Sequence, residues 1–221
     1  YVYENIKKDV HLASIAGGTD MVGCLVLGNL YSNVYKGEIQ GQSLAIDVDV
    51  FSDEGLSIQE GEKGELVVKQ PFPSMPVKFW GDESGEKYHK AYFTRFKNIW
   101  HHGDFIERTS NKGFIMRGRS DATLNPGGVR IGTSEIYQQV EDIDFITEGL
   151  VVGQDFKNDV RIILFVTTKE NKDLNEEKIK LIKTRIRNNC SPKHVPTFII
   201  RVPEIPRTKS GKIVELAVKK V

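Results

Sequence analysis

Glycines stand beside a hydroxyl and a carboxylate in Gly17-Gly18-Thr19-Asp20. Two glycines allow a backbone to approach a ligand closely. A carboxylate is a hard oxygen ligand that suits Mg²⁺, and a threonine hydroxyl can bind a phosphate oxygen. Taken alone, the segment is more typical of a tight turn with a helix cap, so its chemistry depends on what surrounds it.

A second polar segment is His101-His102-Gly103-Asp104. Adjacent side chains point apart in a strand, so the two histidines do not predict a shared metal and are interpreted as structural or surface residues. Asp104 follows a glycine at an expected strand end. Its carboxylate could accept two hydrogen bonds from a ribose diol, each contributing about 1.5–3 kcal/mol.

The third segment runs from Arg117 to Ile136 and contains three arginines, two carboxylates and four glycines. Arginine beside glycine-rich backbone is typical of phosphate and nucleotide binding. A flexible, solvated loop is the alternative, but the density of special residues disfavours it.

The fourth segment is Pro206-Arg207-Thr208-Lys209-Ser210-Gly211-Lys212. It lacks the first glycine and the strand-to-helix context of a phosphate-binding loop of the Walker type. The alternatives are a basic loop and a turn that presents one lysine, Lys212, as a point charge.

The elements that must position these segments differ between the two halves of the chain. The first half reads as β-rich and the second alternates helix and strand, which predicts an α/β chain of mixed α+β type with a boundary at Ser120/Asp121. The helices are expected at 1–9, at 135–145 after a cap at Thr133-Ser134, at 173–189 with Asp173 and Glu176 as a capping box, and at 211–221. The third of these has an apolar stripe of Ile179, Ile182 and Ile186, and Val221 is expected on the apolar side of the last. The strands are expected at 44–51, 64–69, 114–117, 150–152, 160–167 and 197–202, and the prolines after position 70 are expected to interrupt regular structure.

Composition restricts the partners. The 221 residues carry a net charge of +1, so no overall field favours nucleic acid or an anionic membrane, and any anion site must be local. Two widely separated cysteines and no apolar run of membrane-spanning length are typical of a reduced, cytoplasmic protein. The chain begins at Tyr1 rather than Met, which predicts a fragment of a longer protein.

The four segments together, in this order, resemble the adenylate-forming superfamily, which includes acyl-CoA synthetases. Gly118-Arg119-Ser120-Asp121 with the loop to Ile131 is similar to its hinge motif, and Pro206 to Lys212 is similar to its closing motif. The sequence of these segments is most similar to the acetyl-CoA synthetase branch and, within it, to enzymes that act on acetoacetate. The resemblance covers the whole chain. It implies that 1–120 is the carboxy-terminal part of the large domain and that 121–221 is the small mobile domain.

The resemblance implies that the complete protein ligates acetoacetate to coenzyme A, using ATP and Mg²⁺, through an acyl-adenylate. Thr19 and Asp20 would contact the ATP phosphates and Mg²⁺. Asp104 and Arg119 would hold the ribose hydroxyls, and Arg130 would contact a phosphate.

Five further positions receive roles from the same resemblance. Lys212 would bridge the acid carboxylate and the α-phosphate, and Asp121 would be the pivot of the small domain. Gly128 would line the pantetheine tunnel and Arg187 would contact CoA. Gly17 replaces a tryptophan of acetyl-CoA synthetases and would leave room for an acid larger than acetate.

The resemblance also implies a deficit. The phosphate loop and the adenine-binding segment of the superfamily lie upstream of Gly17 and are not in these 221 residues, so the chain alone is expected to be inactive. Two alternatives are a synthetase for propionate, a longer acid or an amino acid, and a non-catalytic binding module. A third, a nucleic-acid binder, is disfavoured by the balanced charge.

Overall fold

The computed structural model describes residues 1–169 and 173–220. They form two compact units, Tyr1–Met116 and Arg117–Val221. Both contain helices and strands, which confirms the predicted mixed α/β class. The domain boundary at Ser120/Asp121 and the roles assigned to the two domains stay predictions.

The first unit is built mainly of strands. Its elements are α1 (Val2–Asn5), β1 (Ala16–Gly18), β2 (Gly23–Leu27), β3 (Gly41–Gln42), β4 (Val48–Phe51), β5 (Lys63–Val68), α2 (Glu86–Tyr92), β6 (Trp100–Arg108) and β7 (Phe114–Arg119). One sheet has the order β1-β2-β3 and the other β4-β5-β6-β7, and β7 runs on past the division between the units. Leu25, Leu66 and Trp100 are among the fully buried core side chains.

A bulge interrupts the pairing of β5 with β6. Glu65 pairs with Phe105, but Val67 pairs with His101, so β6 contains extra residues between the two pairs. Gly103 lies in this stretch with φ +83°, a backbone conformation that favours glycine. Asp104 follows Gly103 in this bulged stretch, inside a nine-residue strand, and the expectation that it ends a strand was wrong.

The second unit packs helices on a three-stranded sheet. Its elements are α3 (Thr133–Val140), β8 (Ile146–Phe156), β9 (Asp159–Thr168), α4 (Glu176–Asn189), β10 (Phe198–Arg201) and α5 (Glu215–Lys219). The sheet order is β10-β9-β8, with β8 and β9 antiparallel and β9 and β10 parallel across α4. Ile136 of α3, Ile182 and Ile186 of α4 and Leu164 of β9 are buried together.

Several predicted elements change length. The helix expected over 1–9 covers only Val2–Asn5, and the strand expected over 44–51 begins at Val48, because Ala45 has a left-handed φ of 61°. The strand expected over 150–152 has 11 residues. The strand expected over 197–202 covers Phe198–Arg201.

The helices of the second unit are capped differently from the prediction. For α4, Asn175 rather than Asp173 is the N-cap, and its side chain accepts the Lys178 amide at 3.0 Å. For α3 the cap is Gly132, whose amide donates to Glu135 Oε1 at 3.0 Å, and the helix ends at Val140 rather than near Phe145. The last helix covers Glu215–Lys219. Val221, which was expected on its apolar side, lies outside the described residues.

Four elements had no counterpart in the prediction, namely β1, β2, β3 and α2, and the strand expected to end at Asp104 continues to Arg108 as β6. Residues 69–85, which include the prolines, contain no helix or strand, as expected. In the described part of the chain, no helix combines the length and the apolar composition needed to cross a membrane.

Candidate functional site

A cavity of about 490 Å³ in the first unit brings together three of the predicted site residues, Gly17, Thr19 and Asp104. It is lined by residues 15–19, residues 22–24 and Asp104. Thr19 is exposed, whereas Asp104 is buried at 7% exposure. Backbone from the β1–β2 hairpin and a carboxylate from β6 thus surround one opening, which suits a ligand with hydroxyl or phosphate groups.

Gly17 is required by the packing of two strands. A Cβ at this position would lie 2.2 Å from the Gly23 carbonyl oxygen and 2.6 Å from Cys24 Cα. Neither contact can be relieved by a side-chain rotation, because both partners are backbone. The structure therefore supplies a local reason for glycine here, beside the predicted acyl-pocket role, which stays a prediction.

Asp20 is exposed and is oriented by an aromatic side chain from α2. The Tyr92 hydroxyl donates to Asp20 Oδ2, and the Tyr92 ring stacks on Trp100 with centroids 3.6 Å apart. Because Trp100 is 2% exposed, the tyrosine has a rigid support. The carboxylate of Asp20 consequently has a defined direction despite its exposure.

The two histidines of β6 have separate partners. His101 Nε2 lies 2.8 Å from Glu65 Oε2, whereas His102 accepts from Trp100 Nε1 at 3.4 Å and lies 3.6 Å from Asp104 Oδ2. Consecutive strand residues point to opposite faces, which accounts for this division. His102 thereby borders the carboxylate that the cavity presents.

No cluster of three or more His, Cys, Asp or Glu side chains that could hold a metal occurs among the described residues. Asp20 offers a single exposed carboxylate. This fits Mg²⁺, which is usually bound through one or two carboxylates together with substrate phosphates and water.

In the second unit, Arg119 and Asp121 lie together at the end of β7. Arg119 Nε is 3.7 Å from Asp121 Oδ1, and both side chains are about half exposed. Asp121 belongs to a short 3-10 turn, Ser120–Ala122, that follows the strand. Arg130 is partly buried one residue before Ile131, which forms an isolated bridge with Leu124.

The loop that carries Gly128 is fixed by a carboxylate of the β8–β9 hairpin. Asp159 Oδ1 accepts the Gly127 amide at 2.6 Å. This bond, a second from the Val160 amide and the charge of Lys193 lower the pKa of Asp159. Gly128 has φ +78° and is exposed, and it lines a cavity of about 520 Å³ with Asn125 and residues 155–160.

Arg187 lies on α4, away from the Gly128 loop in sequence, and lines a different surface groove. The groove is formed by one face of the helix, with Glu176, Ile179, Lys180, Lys183, Thr184 and Arg187. Arg187 is exposed, so its guanidinium is available to a ligand.

Lys212 is exposed at the closing end of a turn, Thr208 to Lys212, that hydrogen bonds hold closed. The Thr208 amide donates to the Lys212 carbonyl at 2.8 Å, and the Lys212 amide donates to Thr208 Oγ1 at 3.1 Å. Arg207 Nη1 donates to the Gly211 carbonyl at 2.6 Å, and the Arg207 guanidinium also pairs with Glu148 of β8. The backbone around the lysine is thus fixed while its ammonium group is free to reach solvent or a ligand.

Three supporting residues were not identified from the sequence: Tyr92, Asp159 and Glu215. The contact of Tyr92 with Asp20 joins residues far apart in the chain, and no pattern in the sequence connects them. Asn158, between the apolar runs 150–152 and 160–167, was a usable sign of a hairpin turn before Asp159, because asparagine tolerates the positive φ that both turn residues adopt.

The fold matches solved adenylate-forming enzymes. An acetoacetyl-CoA synthetase from Streptomyces lividans matches with a TM-score of 0.88 and 40% identity, over 96% of this chain and 32% of that one. A benzoate CoA ligase from Burkholderia xenovorans matches with a TM-score of 0.77 at 23% identity, over 94% of this chain and 40% of that one. No protein-family model matches the chain. Each unit therefore has the fold of the corresponding part of this class.

Within that class, the sequence is homologous along its whole length to acetoacetyl-CoA synthetases. It is 59% identical to the protein of that name from Rhizobium meliloti over all 221 residues, and 46% identical to that from Xenopus tropicalis. The chain spans about a third of the length of these relatives, 34% and 33% respectively.

Proposed function

We propose that the full-length protein containing this chain is an acid–thiol ligase that joins acetoacetate to coenzyme A through an acetoacetyl-adenylate. The products would be acetoacetyl-CoA, AMP and diphosphate. The observation that carries the proposal is the cavity in the first unit, which Gly17, Thr19 and Asp104 line together. The homology to acetoacetyl-CoA synthetases supports the choice of acid.

The nucleotide would be held mainly by the first unit. Thr19 would bind a phosphate oxygen. Asp104 would accept hydrogen bonds from the ribose hydroxyls, and the Arg119 guanidinium would donate to the same hydroxyls. Asp20, oriented by Tyr92, would hold Mg²⁺, which supplies positive charge to the phosphate oxygens when it is bound. Arg130 would contact a phosphate group.

In the first half-reaction, the carboxylate of the acid attacks the α-phosphorus of ATP and diphosphate leaves. Negative charge gathers on the phosphorus oxygens in the transition state, and a preorganised cation stabilises it. Lys212 would be that cation, since it is exposed on a turn whose backbone is fixed.

In the second half-reaction, the CoA thiolate attacks the acyl carbonyl and AMP leaves. The small domain would rotate about Asp121, withdrawing Lys212 and bringing the Gly128 loop to the pantetheine arm. Arg187 would contact the nucleotide end of CoA.

The compartment and the metabolic role of the enzyme belong to the same proposal. An enzyme of this activity would act in the cytosol, in lipid and fatty-acid metabolism and in the use of ketone bodies. No nucleic-acid partner is proposed, because the net charge of the chain is +1.

The proposal is tested by acid-dependent exchange of labelled diphosphate into ATP in the full-length protein. Acetoacetate, propionate, a longer fatty acid and an amino acid would be compared. We expect the highest kcat/KM with acetoacetate, by about tenfold or more over propionate, since one methylene is worth about 1–3 kcal/mol and the keto group adds polar contacts. Faster exchange with another acid would reassign the substrate, and no exchange with any acid would remove the ligase proposal.

A further inference from the structure

The carboxylate of Glu215, three residues after Lys212, enters the second unit rather than the solvent. The Tyr137 hydroxyl donates to Glu215 Oε1, and the Thr133 side chain forms a second hydrogen bond with the same carboxylate. Thr133 and Tyr137 are one turn apart on α3, so they present their side chains on one face of that helix. Glu215 thus connects the end of the Lys212 turn to α3.

Tyr137 extends this connection to the sheet. Its hydroxyl oxygen accepts the Val151 amide at 3.1 Å. Val151 lies in β8, an edge strand of the sheet β10-β9-β8, so this amide faces away from the β9 ladder. One hydroxyl therefore satisfies an edge amide and donates to a carboxylate at the same time.

The protonation of the pair agrees with this geometry. Burial, followed by the nearby Glu215 charge, raises the pKa of Tyr137, so the hydroxyl keeps its proton and donates it. Burial also raises the pKa of Glu215, as does the charge of Asp121, while the hydrogen bonds from Tyr137 and Thr133 oppose the rise. A half-buried carboxylate with no role in packing is costly unless such partners fix it.

The position of Glu215 in the chain means that its hydrogen bonds hold one end of the Lys212 turn. Glu215 is the first residue of α5, which packs against β8 and against the Ser120–Ala122 turn. The Lys212 turn precedes it directly and is joined to β8 at its other end by the pair of Arg207 with Glu148. The turn is therefore attached on both sides to the same strand.

We propose that Glu215 and Tyr137 form a positioning pair that sets the direction in which Lys212 is presented during adenylation. The inference rests on the proposed function of Lys212. Neither residue needs to touch a substrate, because both act through the backbone of the turn. A displacement of about 1 Å in a catalytic group can cost up to about 100-fold in rate, so a lost anchor has a measurable effect.

The test measures the two half-reactions separately in the full-length protein. Glu215→Ala should lower acid-dependent diphosphate exchange by about tenfold or more, while thioester formation from supplied acyl-adenylate stays within about twofold of the unmodified enzyme. Glu215→Gln should recover most of the exchange rate, because its amide oxygen still accepts from Tyr137. Glu204→Ala, an exposed carboxylate in the same stretch, is the control and should leave both rates unchanged.

A double-mutant cycle tests whether the two residues act as one unit. Tyr137→Phe should lower exchange to a similar degree, and the double variant should be no slower than the slower single variant. Multiplied effects, equal loss of both half-reactions, or exchange within about twofold of the unmodified enzyme in Glu215→Ala would overturn the pair.

Hydrogen exchange gives a readout that does not depend on activity. In Tyr137→Phe, the amides of Thr208, Gly211 and Lys212 should exchange faster, while those of α4 stay protected. In Glu215→Gln, which keeps the hydrogen bond, the turn should stay protected. Unchanged protection of the turn in Tyr137→Phe would overturn the inference even if Glu215→Ala failed to fold.

Lys212→Ala separates this inference from the function on which it rests. If Lys212→Ala leaves exchange intact, the proposed role of Lys212 fails. If Lys212→Ala abolishes exchange while the Glu215 and Tyr137 variants do not change it, only the positioning pair fails.

Discussion

Lys212 and Lys209 differ in position within a single turn, although both are exposed and carry the same charge. The Lys212 backbone takes part in two hydrogen bonds with Thr208, one through its amide and one through its carbonyl. At the scale of a residue, we therefore expect the two lysines to differ in function because the backbone of Lys212 is held in a fixed position. Asp20 and Tyr92 illustrate the same principle in the first unit, where a hydroxyl fixes an exposed carboxylate.

Lys212→Ala in the full-length protein should lower adenylate formation by about 100- to 1,000-fold, as expected when one preorganised charge is removed from a transition state. Thioester formation from supplied acyl-adenylate should be retained. Lys209→Ala is the matched control and should change neither rate by more than about twofold. Equal loss of both half-reactions in Lys212→Ala would contradict the assignment.

At the scale of the elements, loops with predicted roles are anchored by carboxylates from elsewhere in the fold. Asp159 holds the Gly127-Gly128 loop through a backbone amide, and Glu148 holds the Lys212 turn through Arg207. The two anchors sit at opposite ends of the β8–β9 hairpin, since Glu148 is near the start of β8 and Asp159 begins β9. The hairpin can therefore support two loops independently.

Asp159→Asn should slow thioester formation by about tenfold, because the Gly128 loop loses a charge-assisted hydrogen bond and with it a fixed position. Diphosphate exchange should be unaffected. Asp155→Asn, an exposed carboxylate that lines the same cavity, should leave both half-reactions near their original rates. If Asp159→Asn selectively slowed diphosphate exchange instead, the assignment of the Gly128 loop to thioester formation would be wrong.

At the scale of the whole molecule, the proposed reaction needs one hinge between two units. The chain separates into Tyr1–Met116 and Arg117–Val221, and Asp121 lies a few residues beyond that division in a short turn. A hinge of this kind concentrates the change of backbone angles in a few residues.

Asp121→Pro fixes φ at this position and should lower overall turnover by about tenfold or more while one half-reaction persists, since only one arrangement of the units remains accessible. Asp121→Ala also removes the ion pair with Arg119 but leaves the backbone free, so it should turn over almost normally. Normal turnover of the proline variant, measured as acetoacetyl-CoA formed per second, would argue against a pivot here.

The sequence by itself determined which segments carry chemistry and which class of elements surrounds them. The apolar stripe of α4 was visible because Ile182 and Ile186 recur at helical spacing, and both are fully buried. Only the tertiary structure decided that Asn175 rather than Asp173 caps this helix, because either side chain can accept an N-terminal amide.

Contacts between distant parts of the chain were likewise settled only by folding. Asp104 joins Gly17 and Thr19 in one cavity, and it lies in the stretch of β6 where the register with β5 shifts. Local periodicity contains no information on that register. Tyr137 contacts Glu215 because α3 and α5 both pack against β8. Spacing along a chain specifies the faces of helices and strands, whereas the neighbours of those faces depend on how the elements pack.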